Sequence, residues 1–342
     1  MDWGLGHATR CIPVIKELQR QGADIRIASS GSAGILLRNE FSGIPYFELP
    51  GYNPTYPQQG SMMLTLMKQL PKFIRTIRNE GKAVEALVAE HHIDVVISDN
   101  RYGCFSRKAK SVFITHQVEV SLPEGWAMLA STTNSVLQTC IRRFQEIWVP
   151  DQPDSGLTEQ FMSARIPFTY IGWLSRFDEA QGHVKKYDVM AIVSGPEPQR
   201  SMFESLVRDQ LQRFPGRALL VTGNPVEMSR MKEGSVEILS HLRTPDMAEA
   251  MGSSEVIIAR SGYSTIMDLI ALGRKAAFVP TPQQPEQAWL AKVLMGGKIA
   301  FCQDQHNFVL ATAMEGALAF KGLGTFRKQE GLLERQIKIL MS

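Results

Sequence analysis

Short, mostly apolar, β-branched runs alternate with segments of helical spacing along this chain, and no other feature restricts its fold as strongly. In the first half the runs are residues 25–28, 94–97, 111–114 and 146–149; in the second they are 188–193, 217–221, 236–239, 256–259 and 276–279. Strands without polar alternation have no wet face, so they belong in parallel sheets covered by helices on both sides. Residues 13–21, 202–214 and 265–272 carry the intervening helical periodicity. The pattern predicts an α/β protein built from doubly wound parallel sheets.

A chain of 342 residues is longer than one hydrophobic core usually serves, so two such sheets are expected. Pro, Gly and Asp cluster over 150–178, which puts the linker near 172–178. The expected division is a first domain over 1–172, a second over 173–325, and a terminal helix over 326–342 that packs back on the first domain. A Gly-rich turn normally follows a strand, yet Gly4-Leu5-Gly6-His7 stands almost at the start. The first strand of the first sheet is therefore expected upstream and missing here.

Composition removes several function classes. A net charge of +3 is too small to suggest nucleic acid, and no stretch approaches the apolar length of a membrane-spanning helix. The opening residues lack the basic-then-apolar pattern of a secretory signal. Cys11, Cys104, Cys140 and Cys302 are scattered without metal-ligand spacing and read as thiols of a reducing compartment, so a cytoplasmic location is expected.

Several constellations can carry chemistry. Gly4-Leu5-Gly6-His7-Ala8-Thr9-Arg10 runs into an amphipathic helix. Its glycines let backbone approach a ligand, the helix start offers free N–H groups, and His7 can take a proton near neutral pH. A tight turn with a hydrogen-bonded histidine is the plain alternative. Arg260-Ser261-Gly262-Tyr263-Ser264-Thr265 follows an apolar strand and opens a helix carrying Asp268. Such a turn cradles a diphosphate, with Asp268 placed to accept from ribose hydroxyls. Alternatively Ser261 or Ser264 caps the helix and Asp268 complements its dipole.

After the next strand, residues 283–287 offer amides and a carboxylate, of which Glu286 and Gln287 suit a polyhydroxylated ligand. Ser194, Gly195 and Arg200 form a further loop with reach to a phosphate, and residues 242–248, with Arg243 and Met247, resemble a base-binding turn. In the first half Asp99, Asn100 and His116 sit just past predicted strands, the edge where ligands meet open α/β sheets. Residues 62–82 set Met63, Met67, Leu70, Phe73, Ile74 and Ile77 beside Lys68, Lys72, Arg75, Arg78 and Lys82. That segment is suited to anionic lipid or a lipid-linked acceptor, and equally to an ordinary core-facing helix with a basic outer side.

Taken together, these residues resemble the GT-B glycosyltransferases of family 28. That group includes the N-acetylglucosaminyltransferase completing lipid II and the plant galactolipid synthases. The likeness covers most of the chain and is most specific from Ala259 to Ala291 and from Gly4 to Arg10. It implies two Rossmann-like domains facing a central cleft, with Gly4, Gly6 and His7 at the cleft. It also implies a ribose-binding carboxylate at Asp268, where the family has Glu, and sugar contacts at Glu286-Gln287, where the family has Gln-Gln. Leu290 stands where the family usually has Asn.

The resemblance further implies an inverting hexosyltransferase with a nucleotide-sugar donor, uridine-linked, and a hydroxyl acceptor that is lipid-linked or part of a cell-envelope glycan. No metal and no cofactor is required, because the leaving diphosphate is stabilised by a helix N-terminus. His7 is the expected base, and peripheral contact with an anionic membrane is the expected location at work. Two rivals stand beside this reading: a nucleotide-sugar hydrolase of the pseudaminic-acid-pathway type, which carries a similar Gly-x-Gly-His-x-x-Arg opening, and a non-catalytic nucleotide-sugar-binding protein.

Overall fold

The computed structural model describes residues 5–55, 65, 67–119, 127–163, 165–177, 184–224 and 229–342. In the second half the elements are β7 (Tyr187–Ile192), α5 (Gln199–Leu211), β8 (Ala218–Val221), β9 (Arg230–Glu233), β10 (Val236–Leu239), α6 (Thr244–Gly252), β11 (Ser254–Ala259), α7 (Tyr263–Ala271), β12 (Ala276–Phe278), α8 (Pro285–Gly296), β13 (Phe301–Cys302) and α9 (Leu310–Ala319). They build a seven-stranded sheet in the order β13-β12-β11-β7-β8-β10-β9, parallel except for the β9–β10 hairpin. Strand order reverses between β7 and β11, so the crevice beyond their carboxyl ends is the natural ligand position of an open α/β sheet.

The apolar runs explain the two-sided cover. Along β7, Val189 and Ala191 point into one core with Phe203, Val207 and Leu211 of α5 and Ala313 and Ala317 of α9. Met190, one residue out of phase, enters the opposite core with Met247, Ile266, Leu290 and Leu294 from α6, α7 and α8. Residues one apart on a strand face opposite ways, so a strand buried on both sides must be apolar throughout.

The first half holds α1 (Gly6–Arg20), β1 (Ile27–Ser29), α2 (Gly31–Glu40), β2 (Tyr46–Glu48), α3 (Leu70–His91), β3 (Val95–Asp99), β4 (Lys110–Ile114), α4 (Ala127–Ile141), β5 (Glu146–Val149) and β6 (Thr169–Tyr170). Its parallel strands fall into two sheets, β1–β2 and β3-β4-β5-β6, and no ladder joins them among the described residues. Helix α1 packs against both pieces. Ala8, Ile12 and Ile15 of α1 pack on Ile27, Leu36 and Leu37, while Val14 packs on Val112, Ile114 and Trp148. The last helix, α10 (Leu332–Met341), adds Ile337 and Leu340 to that second cluster.

A buried polar knot ties the two-stranded piece to the rest. Glu80 of α3 has no solvent exposure and accepts from Arg101 Nε at 2.6 Å, from the Tyr52 hydroxyl at 2.5 Å and from the Gly103 amide at 3.3 Å. Arg101 also donates to Ser30 Oγ at 2.9 Å and to the Pro50 carbonyl at 2.6 Å. Gly103 admits no side chain, since a Cβ there would stand 2.3 Å from the Ile77 carbonyl oxygen. On α3 the inward positions are Thr76, Glu80, Val84 and Val88, whereas Leu70 and Ile74, with Met67 just before the helix, stand roughly half exposed. The segment over 62–82 is thus not a simple core-facing helix, although part of it, Met63 included, lies outside the described residues.

Candidate active site

Two helix starts meet where the halves touch. Helix α1 opens at Gly6 and α7 opens at Tyr263, and Ser264 Oγ donates to the Gly6 carbonyl at 2.9 Å. A Cβ on Gly6 would lie 3.0 Å from that hydroxyl, so glycine permits the approach. Each first turn leaves N–H groups without intrahelical partners and carries the positive end of a dipole. Both dipole ends therefore point toward one place.

Around it the structure gathers residues that lie far apart in sequence. His7 sits in the first turn of α1, and its Nδ1 is 2.6 Å from Asp99 Oδ1 at the end of β3. Arg10, one turn later on the same face, donates through Nη2 to Asp99 Oδ1 at 2.6 Å and through Nε to the other carboxylate oxygen. Its Nη1 reaches His116 Nδ1 at 2.8 Å, just past β4. His116 Nε2 in turn is 3.0 Å from Glu286 Oε1, in the first turn of α8. The His116 ring lies flat on Tyr263, with centroids 4.4 Å apart and planes at 8°, and the Tyr263 hydroxyl donates to the Pro150 carbonyl at 2.9 Å.

The electrostatics follow from burial and charge order. Burial and then the neighbouring Arg10 bring the His7 imidazole down to about 4, with Asp99 pulling the other way. Burial works to raise the Asp99 carboxyl, but Arg10 and then His7 hold it well below the usual carboxylate range. Burial likewise opposes ionisation of Glu286, and His116, His7 and Arg10 keep it below its ordinary value. With Nδ1–H donated to Asp99, His7 carries its lone pair on Nε2. A neutral imidazole oriented by a carboxylate is a general base in form.

Several predicted residues do other work. Arg260, predicted for the donor, is 1% exposed and donates inward to the Val279, Pro280 and Gln199 carbonyls and to Gln305 Oε1, with its guanidinium over the Phe203 ring. It closes the strand ends and does not face the two helix starts. The Ser261 hydroxyl donates to the Gln287 carbonyl at 2.9 Å, and the Gln287 side chain accepts from the Thr281 amide at 2.8 Å. Met247 is core, Arg200 is taken by Glu197, Glu204 and the Thr222 carbonyl, and Arg243 caps α6 at the surface.

Asn100 accepts from Thr115 Oγ1 at 3.2 Å in a left-handed turn. Asp268 is buried and bound by Ser175 Oγ at 2.8 Å and by Arg176 at 3.5 Å, both from the linker. Ser194 and Gly195 follow β7 as expected, with open space beside Gly195, while Gly262 caps α7 and Thr265 lies in its first turn. Gly4 lies outside the described residues. Arg10 and Tyr263's partner Pro150 carry no separable signal in the sequence. For Arg10 the available clue is its spacing of three from His7, which puts both on one helix face.

Residues 210–307 match the glycosyltransferase family 28 C-terminal domain. A UDP-N-acetylglucosamine–N-acetylmuramyl-(pentapeptide) pyrophosphoryl-undecaprenol N-acetylglucosamine transferase of Histophilus somni is 23% identical over 321 residues, covering 88% of this chain and 83% of the relative. A glycosyltransferase of Methanosarcina mazei is 23% identical over 321 residues, covering 85% and 80%. Among solved structures, MurG of Acinetobacter baumannii superposes with a TM-score of 0.54 at 14% identity, covering 98% of this chain and 96% of that one. The glycosyltransferase SnogD of Streptomyces nogalater gives 0.61 at 14% identity, covering 99% and 97%. Residues 210–307 thus carry the family 28 C-terminal domain, the fold is that of the GT-B glycosyltransferases, and the chain is similar along most of its length to glycosyltransferases.

Proposed function

We propose that the chain is an inverting hexosyltransferase that moves a hexose or N-acetylhexosamine from a uridine-diphosphate-linked donor to an acceptor hydroxyl, with no divalent metal. The observation that carries this reading is the meeting of the Asp99-held His7 with the first turn of α7 across the junction of the halves. The acceptor hydroxyl gives its proton to His7 Nε2 as its oxygen attacks the anomeric carbon. The bond from that carbon to the phosphate oxygen breaks, and its electron pair leaves on the nucleoside diphosphate. The N–H groups of the α7 start and the Thr265 hydroxyl would take up that charge, which is the role a metal plays elsewhere, and the Ser264 hydroxyl joins them only by releasing the Gly6 carbonyl. For Asp268 to take the ribose, Ser175 and Arg176 must release it. Glu286 remains for the sugar hydroxyls, since the Gln287 side chain braces Thr281.

The name of the Histophilus somni relative specifies a UDP-N-acetylglucosamine donor and an undecaprenol-linked acceptor, which supports the choice of carrier and a lipid-linked acceptor. So does the outer face of α3. A groove of about 560 Å³ there is lined by Pro71, Ile74, Arg75, Arg78, Lys82, Phe105 and Arg143 among others, and no carboxylate lines it. Exposed Met67, Leu70 and Ile74 continue the apolar side. Apolar surface rimmed by cations suits peripheral contact with an anionic membrane. No helix among the described residues is long and apolar enough to cross one.

A thermal-shift screen with UDP, GDP, TDP, CMP and their sugars tests the donor, because a ligand of the folded state raises the melting temperature by mass action. UDP and a UDP-sugar should stabilise both the wild type and His7→Asn, with turnover lost in the variant and unaffected by EDTA in the wild type. UDP release that needs no acceptor would favour the hydrolase. Binding without turnover in either assay would favour a binding protein. No shift with any nucleotide would remove the transferase reading.

A further inference from the structure

We propose that Arg10 is a positioning residue that joins His7 and Asp99 of the first half to His116 and Glu286 of the second-half contact, so that the proton affinity of His7 is set by both halves together. This rests on the reading of His7 as the base. Arg10 is 2% exposed, and its guanidinium is shared between Asp99, through Nε and Nη2, and His116, through Nη1, while Nη2 also stands 3.0 Å from the His7 Nδ1 that donates to Asp99. The charged and titratable groups facing it are Asp99 from β3, His116 from beyond β4, Tyr263 from α7, Glu286 from α8, and His7 and Cys11 from its own helix.

The hydrogen-bond directions fix the state of the network. A guanidinium only donates, so His116 Nδ1 must accept from Arg10, which leaves the His116 proton on Nε2, where it is donated to Glu286. With His7 neutral, the group holds one cation and two carboxylates and carries one net negative charge. When His7 takes the acceptor's proton the group becomes neutral. Asp99 in contact and Glu286 from the other half favour this second cation, while Arg10 opposes it. The base therefore works at full strength only while α8 sits against His116. An arginine is required for this and a lysine is not equivalent, because one point charge cannot hold Asp99 in a fork and reach His116 at once.

Histidine-labelled protein followed by ¹⁵N and ¹³C NMR tests this without any donor or acceptor, with His7→Asn and His116→Asn assigning the two rings. In the wild type, His116 should show an unprotonated, hydrogen-bonded Nδ1 and a protonated Nε2, and His7 should stay neutral to about pH 5. Arg10→Met should raise the His7 midpoint by at least about 0.5 pH unit, and adding Glu286→Gln should bring it back down. Arg10→Lys keeps the charge beside Asp99, so His7 should stay near its wild-type behaviour while the His116 nitrogen shifts change. A wild-type His116 protonated at Nδ1, or an unmoved His7 in Arg10→Met, overturns the proposal. If Arg10→Met does not fold, the wild-type tautomer and the Arg10→Lys spectra decide. Because no turnover is read, a failed transferase assay and a failed network are separate outcomes.

Discussion

Replacing His7 by Asn should flatten the acid side of the protein's stability profile, and the size of the effect can be worked out from the site. Burial and Arg10 hold the His7 imidazole at about 4 in the folded protein, whereas in the unfolded chain it titrates near about 6.5. Between those values the unfolded chain binds a proton that the folded chain refuses. Stability from this group is thus complete above about pH 6.5 and is lost as the pH falls toward about 4. At about 1.4 kcal/mol per unit the whole gap is worth about 3 kcal/mol, of which about 2 kcal/mol falls between about pH 7 and pH 5. Urea denaturation of both proteins at those two pH values reads it directly. The wild type should lose about 2 kcal/mol more than His7→Asn over the interval. Equal losses, within about 0.5 kcal/mol, would refute the assignment of a proton-refusing His7.

Glu80→Ala strands the buried Arg101 guanidinium and should cost about 3–5 kcal/mol by chemical denaturation, while a loss under 1 kcal/mol would show that the knot is dispensable. Gly103→Ala drives a methyl group against the Ile77 carbonyl and should cost about 1–3 kcal/mol, with no change in nucleotide-induced thermal shift. Arg176→Gln removes the cation beside Asp268, whose carboxyl burial already pushes upward. A raised carboxyl is stabilised by protonation, so the melting deficit of this variant should be largest near about pH 8 and shrink toward pH 5. A deficit independent of pH would mean that Arg176 serves packing alone.

The sequence was most readable where burial was most complete. Runs such as 188–193 and 256–259 are apolar because both faces of their strands are covered, and they appear as β7 and β11 within two residues of the reading. Strands β2, β6, β9 and β13 escaped, since edge or two-residue strands have no need of an apolar run; Arg230–Glu233 is almost wholly exposed. The motifs singled out in the sequence contain His7, Asp99, His116 and Glu286, which the structure brings together. Their mutual contacts span 92 to 170 residues of chain and have no local signature. Arg260, Ser261 and Gln287 were assigned to ligand because their types suit one. The structure uses their hydrogen bonds to brace the strand ends, a use that side-chain chemistry alone does not distinguish.

Among the described residues a polar knot, and not a ladder, joins β1–β2 to the rest, which has a thermodynamic consequence. A ladder couples strands at every residue, so neighbouring strands open together; a few buried side-chain bonds and one shared helix couple them at a few points. The two-stranded piece, with its cover helix α2, should accordingly form its own unit of partial unfolding, opening at a lower free energy than the four-stranded sheet beside it. Native-state hydrogen exchange would show Ile27–Ser29 and Tyr46–Glu48 exchanging ahead of Lys110–Ile114. Helix α1 borders both units and carries His7 and Arg10 in its first turns, so an opening of the small sheet would loosen both side chains as well. The segment that is cheapest to open would thereby set how often His7 and Asp99 are in contact.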